Sequence, residues 1–422
     1  MERIILRDVC DVFDGPHATP TKTEAGPVYL GIDAITEDGR LNEAEFAHLS
    51  AEDYKRWTRR VTPMEGDIVF SYEATLGRYA LIPKDFYGCL GRRLAVIRNR
   101  SDAINTRWLY YYFRSPEWTA FIERNTIKGS TVNRISVEDF PSYSIPAVER
   151  EQQDRIVGIL GAIDKKISAN NTINDNLAQQ LRLLYDYWFT QFDFPDENGK
   201  PYRSSGGQMV WDDVTKKAIP AGWHSVKMSV ATKGIRTGLN PRDNFKLGNG
   251  TIKYITVKNL RSDGILDFSG CDTIDETART IIHRRSDVCP GDILFASIAP
   301  LGRCYLVQES PQDWDINESV FSIRCNKATV TPEYLYMHLQ GEAFIKKSTA
   351  CSTGSVFKGI RINTLLDSRM ILPPMQIVEK FSKRTKLLLS LQNKLNKEIQ
   401  ALTELRDWLL PMLMNGQANV SD

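Results

Sequence analysis

The feature that most constrains this chain is a repeat: segments recur at an offset of 225 residues along its whole length, so the fold must be built twice. Tyr29-Leu30-Gly31-Ile32 falls on Tyr254-Ile255-Thr256-Val257, the Asp38-Gly39 turn on Asp263-Gly264, and Arg59-Arg60 on Arg284-Arg285. Gly66-Asp67-Ile68-Val69-Phe70 falls on Gly291-Asp292-Ile293-Leu294-Phe295, and Leu76-Gly77-Arg78 on Leu301-Gly302-Arg303. Gly129-Ser130 falls on Gly354-Ser355, with Ile135 on Ile360. Ile97-Arg98 and Trp108-Leu109-Tyr110 match Ile323-Arg324 and Tyr334-Leu335-Tyr336 after a slip of one residue. Accidental Gly-Asp turns would not keep so steady an offset, and the chain reads as a tandem duplication.

Each copy opens with short β-branched segments punctuated by Gly, Pro and Asp, which predict strands and turns. A short helix follows, signalled by Asn105 in one copy and by Thr331-Pro332 in the other as cap and first-turn residues. A long helix then closes each copy. In the first, Ile156, Leu160, Ile163, Ile167, Asn170, Asn174, Leu177, Leu181, Leu184 and Trp188 step by alternating four and three residues. In the second, Leu388, Leu391, Leu395, Glu398, Leu402, Leu405, Leu409 and Met412 do the same. That is a coiled-coil seam, and about 35 residues of helix span roughly 50 Å. The globular copy between the two helices favours antiparallel pairing. The asparagines on the first seam either fix register or mark a splayed section.

The fold class is therefore α+β, a tandem duplication of a mixed α/β domain and a long helix, with the helices pairing as an antiparallel coiled coil. The expected boundaries are a first domain at 1–147, its helix at 148–194, a linker at 195–224, a second domain at 225–372, its helix at 373–416 and a tail at 417–422.

Composition narrows the classes without naming one. The 422 residues allow about two to four domains, and 42% hydrophobic with 25% charged residues is ordinary for a globular chain. No apolar run is long enough for a membrane span and the charged N-terminus does not read as a signal peptide, so the expected location is cytoplasmic with no membrane contact. Seven cysteines without a C-x-x-C pair argue against a disulfide framework and a zinc knuckle. A total of 54 Lys+Arg against 52 Asp+Glu says nothing about partners by itself.

No phosphate loop, H-E-x-x-H helix, G-x-S-x-G elbow or N-P-P-[FY] tetrapeptide occurs, and the five histidines fall at dissimilar places in the copies. The only acids that recur are Asp38/Asp263 and Asp67/Asp292, each beside a turn glycine, where bracing a turn is the expected role. The expectation is a chain that is not an enzyme and holds neither metal nor cofactor of its own. Several arginines also recur while the sequence between them diverges. A DNA reader needs that division, with cations for phosphates and variable polar side chains for base edges.

With the repeat laid out, the chain resembles the specificity (S) subunit of type I restriction-modification systems across essentially its full length. The residues that carry the resemblance are the paired Gly-Asp-Ile-[Val/Leu]-Phe segments, the paired Gly-Ser loops and the Leu372-Pro373-Pro374 lead-in to the second helix. Most characteristic is Phe192-Asp193-Phe194-Pro195-Asp196-Glu197-Asn198-Gly199-Lys200-Pro201-Tyr202, leading to Ile219-Pro220-Ala221-Gly222-Trp223. Pro146-Ala147-Val148, at the first helix, departs from the Leu-Pro-Pro form.

The resemblance implies a non-catalytic reader of double-stranded DNA, each target-recognition domain taking one half of an asymmetric bipartite site and the helices setting the spacing. Two modification (methyltransferase) subunits carrying S-adenosylmethionine would dock on the helices, and restriction (motor-nuclease) subunits would join for cleavage. The candidate DNA-binding residues are Arg59, Arg60, Tyr72, Glu73, Arg78, Lys128, Ser130 and Arg134 in the first domain. In the second they are Arg284, Arg285, Ser297, Arg303, Ser355, Lys358 and Arg361. The competing readings are a two-headed coiled-coil adaptor that binds proteins and a self-sufficient nuclease or methyltransferase.

Overall fold

The computed structural model describes residues 2–129, 132–350 and 359–418. It divides into two compact units, residues 1–167 with 400–422 and residues 168–399. Each unit holds one copy of the repeated domain together with parts of both long helices.

In the first unit a four-stranded antiparallel sheet has the order Cys10–Asp14, Leu94–Asn99, Ile68–Ser71, Tyr79–Leu81. A second sheet has Thr23–Leu30 at its centre, antiparallel to Ala47–His48 and parallel to Gly88–Leu90. The second unit repeats both. Its four strands are Thr232–Thr237, Val320–Cys325, Asp292–Ala296 and Cys304–Leu306, and its three are Asp272–Ile274, Ile252–Ile255 and Trp314–Ile316, again with one parallel pair.

Strand periodicity explains why the central strands carry no polar alternation. Ile68, Phe70, Ala95 and Ile97 point into a core with Trp108, Leu109 and Trp118 of the helical layer. Their neighbours Val69, Leu94 and Val96 point the other way, against Leu30, Ala34 and Leu90 of the second sheet. A strand covered on both faces must be apolar throughout. The second unit uses Ile293, Phe295, Phe321 and Ile323 on one side and Leu294, Ala296 and Val320 on the other. The short helices start where the sequence signals them, Thr106–Phe113 capped by the Asn105 side chain and Pro332–Gln340 capped by Thr331.

The recurring acids brace turns. Asp67, 2% exposed, accepts two hydrogen bonds from Arg98 at 2.9 and 2.7 Å and one from the Met64 amide at 2.9 Å. Asp292, 1% exposed, accepts two from Arg324 at 2.8 Å and one from the Cys289 amide at 3.1 Å. At the Asp-Gly turns, Gly39 and Gly264 both have φ +83°, and an added Cβ would strike the hydroxyls of Tyr110 and Tyr336 respectively. Only glycine suits both the backbone and the space.

The long helices run over Arg150–Tyr185 and Met375–Met414. Within the first unit Ile156 and Leu160 share a core with Leu410, Leu413 and Met414, and Asp164 pairs with Arg406 at 3.2 Å. Within the second, Asn170 donates to Glu398 at 2.9 Å, and Leu181, Tyr185 and Trp188 join Phe381 and Leu389. In each unit rising numbers on one helix meet falling numbers on the other, so the pairing is antiparallel.

On the first helix Ile156, Leu160, Ile163, Ile167, Asn170, Asn174, Leu177, Leu181 and Trp188 are buried as the spacing predicts. Leu184 is only half-buried because Tyr185 takes its place where the helix widens into a π turn over Asp186–Thr190.

The second seam needs correction by one residue. Leu391 and Leu405 are 43% and 44% exposed, and Leu388, Leu395, Leu402 and Leu409 are half-buried. The buried positions are Thr385, Leu389, Gln392, Arg406, Leu410 and Leu413. The physical reason is that the domain covers this helix with main-chain carbonyls: Gln392 donates to Asp263 O at 3.2 Å and Asn396 to Leu266 O at 3.3 Å. A face that meets carbonyls is polar, and apolar spacing alone misplaces it.

The stretch read as a linker carries structure of its own. Phe194 stacks on Tyr202 and on Trp223, and Met209–Asp212 pairs with Lys217–Pro220 as a hairpin. Among the described residues, no helix is long and apolar enough to cross a membrane.

Candidate nucleic-acid interface

Three loop segments converge at one end of each four-stranded sheet and are tied together chiefly by main-chain hydrogen bonds. In the first unit the Tyr72 amide donates to Arg93 O at 3.1 Å, the Ile135 amide to Tyr72 O at 2.7 Å and the Ala74 amide to Asn133 O at 3.3 Å. In the second, the Ser297 amide donates to Ser319 O at 3.0 Å and the Ile360 amide to Ser297 O at 2.8 Å. The isolated bridge between Glu73 and Arg134 has its counterpart between Ile298 and Gly359. The framework is thus repeated, while the side chains on it are not: Tyr72 becomes Ser297, Glu73 becomes Ile298, Arg93 becomes Ser319 and Arg134 becomes Gly359.

Two residues on the first lip, Ala74 and Arg93, hold left-handed φ of 69° and 75°. Such backbone outliers cluster where geometry serves a site. Glu73 pairs with Arg93 at 2.9 Å, and Arg92, Lys128 and Arg134 are exposed. The second lip carries Glu318, Ser319 and exposed Arg361, the residue that precedes the helix Ile362–Asp367.

A repeated tyrosine underlies both lips. The Tyr29 hydroxyl accepts the Arg92 amide at 3.1 Å. Its counterpart Tyr254 donates its hydroxyl to Leu239 O and lies beside Glu318; burial, then that carboxylate, raise its pKa above the usual phenol value.

Several candidate residues are internal braces instead of contacts. Arg78 donates to Ile35 O at 3.0 Å and Arg303 to Leu260 O at 3.3 Å, so each guanidinium caps a carbonyl of the small hairpin that holds the Asp-Gly turn. These arginines recur because the turn recurs. The Tyr72 ring is 5% exposed, and burial pushes its hydroxyl up to about 12. Ser297 is 5% exposed and donates its hydroxyl to Ser319 O at 2.7 Å.

Arg59, Arg60, Arg284 and Arg285 are exposed but stand outside the lip segments. Arg60 pairs with Asp14 at 2.5 Å, while Arg284 and Arg285 occupy the last turn of the helix Glu276–Ser286, where the helix dipole favours cations. Glu73, Lys128, Arg134 and Arg361 are on the lips; Ser130, Ser355 and Lys358 lie outside the described residues. Sequence reasoning missed Arg92, Arg93 and Glu318 as members of this surface. The signal available was the offset itself, which aligns Arg92-Arg93 with Glu318-Ser319 directly after matched apolar segments. Among the described residues no His, Cys, Asp and Glu cluster could hold a metal ion.

Residues 1–179 match the family model described as the type I restriction modification DNA specificity domain. The chain is similar to the type I restriction enzyme MjaIX specificity subunit of Methanocaldococcus jannaschii, 22% identical over 391 residues covering 89% of this chain and 82% of that one. It is also similar to the type I restriction enzyme HindI specificity subunit of Haemophilus influenzae, 21% identical over 405 residues, 84% of this chain and 86% of that one. Among solved structures, the type I restriction-modification S subunit from M. genitalium shares the fold, with a TM-score of 0.55 at 16% identity over 98% of this chain and 95% of that one. The duplicated domains, the paired helices and these likenesses agree: residues 1–179 match the type I restriction modification DNA specificity domain, and the chain is similar to type I specificity subunits over most of its length.

Proposed function

We propose that this chain is the non-catalytic DNA-reading subunit of a type I restriction-modification complex, with each domain reading one half of an asymmetric bipartite site through its lip. The observation that carries the reading is the repeated main-chain framework with divergent side chains. Phosphate positioning tolerates sequence-independent cations, whereas two different half-sites require two different sets of base contacts on one scaffold.

The helices would set the distance between half-sites and dock two modification subunits, which bring S-adenosylmethionine; this chain would hold no cofactor. Outward leucines support docking. Leu387 is 75% exposed and Leu391 43% in the second unit, and Leu405 is 44% and Trp408 59% in the first. Spacings of four and three residues put each pair on one helix face, and large apolar side chains in solvent mark interaction sites. Restriction subunits would join the same assembly, in the cytoplasm where its DNA lies.

The experiment is methylome sequencing of cells with and without the gene. Loss of one bipartite adenine-methylation motif is expected on deletion; an unchanged methylome would favour the adaptor reading.

A further inference from the structure

The two lips differ in a way the repeat makes legible. Among their described residues each carries one carboxylate, yet at non-equivalent positions: Glu73 in the first domain, where the second has Ile298, and Glu318 in the second, where the first has Arg92. Glu73 is held by Arg93, which sits at positive φ, whereas Glu318 directly follows the strand Trp314–Ile316 and Asn317, beside the framework residue Ser319 whose carbonyl accepts the Ser297 amide. Glu318 is exposed and makes no ion pair among the described residues.

A carboxylate is an unfavourable group to turn toward DNA, because every phosphate repels it and it releases no counterions. Its useful role there is as an acceptor for an exocyclic amino group on a base edge. In the major groove a Glu or Asp accepts from cytosine N4, whereas Gln pairs with adenine through N6 and N7. We infer that Glu73 and Glu318 are specificity-determining residues, each accepting the amino group of a cytosine in the half-site that its own domain reads. This rests on the DNA-reading function proposed above. The non-equivalent placement then assigns the two cytosines to different positions within the two half-sites.

The test uses the full complex assembled with its modification subunits, with methylome mapping in cells and competition binding on duplexes that vary one base at a time. E318Q is expected to change one position of the second half-site and leave the first unchanged. E73Q is expected to do the converse, with about five- to hundredfold less preference for cytosine at that position and a gain for adenine. E73D, which keeps the charge but withdraws the oxygens by one methylene, should weaken the same position. A motif unchanged in E318Q while affinity rises for all sequences would reduce Glu318 to a repulsive surface charge and overturn the inference. So would equal weakening of both half-sites. If the unaltered complex methylated no bipartite motif at all, the DNA-reading function would fall first, a result distinct from an intact motif that ignores both glutamates.

Discussion

Replacing Asp292 with Asn tests whether the repeated acid is a brace or part of a reaction centre. Asn keeps the size of the side chain but removes the charge and sets an amide N–H against donors. The carboxylate is 1% exposed and accepts from Arg324 twice at 2.8 Å, from the Ser322 hydroxyl at 3.1 Å and from the Cys289 amide at 3.1 Å. Removing one member of a buried ion pair costs about 3–5 kcal/mol, because the other charge is stranded. Arg324 keeps Asp287 at 3.0 Å and its side chain is 29% exposed, which places the loss at the low end, about 3 kcal/mol. That is roughly a 150-fold change in the folding equilibrium of the second unit. At about 2–4 °C per kcal/mol for a unit of this size, its melting temperature should fall by about 6–12 °C.

The copy provides an internal replicate. Among the described residues Arg98 pairs with no second carboxylate and beyond Asp67 donates only to the Thr62 carbonyl at 2.9 Å, so D67N should cost the first unit about 4 kcal/mol. Calorimetry of the purified chain, with the two units' transitions resolved, measures both. A loss below about 1 kcal/mol in either unit would show that the pair is not the brace described here. Abolished methylation with melting unchanged would return the acid to the reaction.

Two further outcomes follow from other parts of the structure. His338 is half-buried, its Nδ1 3.0 Å from the Tyr185 hydroxyl, and burial lowers its pKa to about 4. The unfolded chain takes up the proton first, so stability of the second unit should fall by up to about 3 kcal/mol as pH drops from ~6.5 to ~4, and H338Q should flatten that slope in urea titrations. For the outward leucines, L391D and W408A should reduce co-purification with modification subunits at least tenfold while leaving the melting temperature of the isolated chain within about 2 °C. Equal loss of melting temperature and assembly would mean that these side chains support the helix instead of a partner.

The duplication, the starts of the short helices and the first helical seam were legible in the sequence because each rests on local periodicity, cap residues or residues that repeat. The second seam was not, since the buried Gln392 and the half-buried Asn396 donate to carbonyls and that placement follows from the domain's loops. Arg78 and Arg303 misled for a related reason. A recurring arginine looks the same whether it waits for a phosphate or caps Ile35 O and Leu260 O. Arg92 and Glu318 hid because they differ between copies, and divergence is informative only after the shared framework beneath it is known.

The ties that hold each lip together run between main-chain amides and carbonyls. Apart from Ser297, whose hydroxyl is engaged, the buried Tyr72 and the Glu73–Arg93 pair, the lip side chains are therefore nearly free of structural duty. A lineage carrying this scaffold can exchange one lip residue for another and acquire a new target without first surviving a misfolded intermediate. Drift in what is read is uncoupled from the requirement to fold, and each domain can drift independently of its twin.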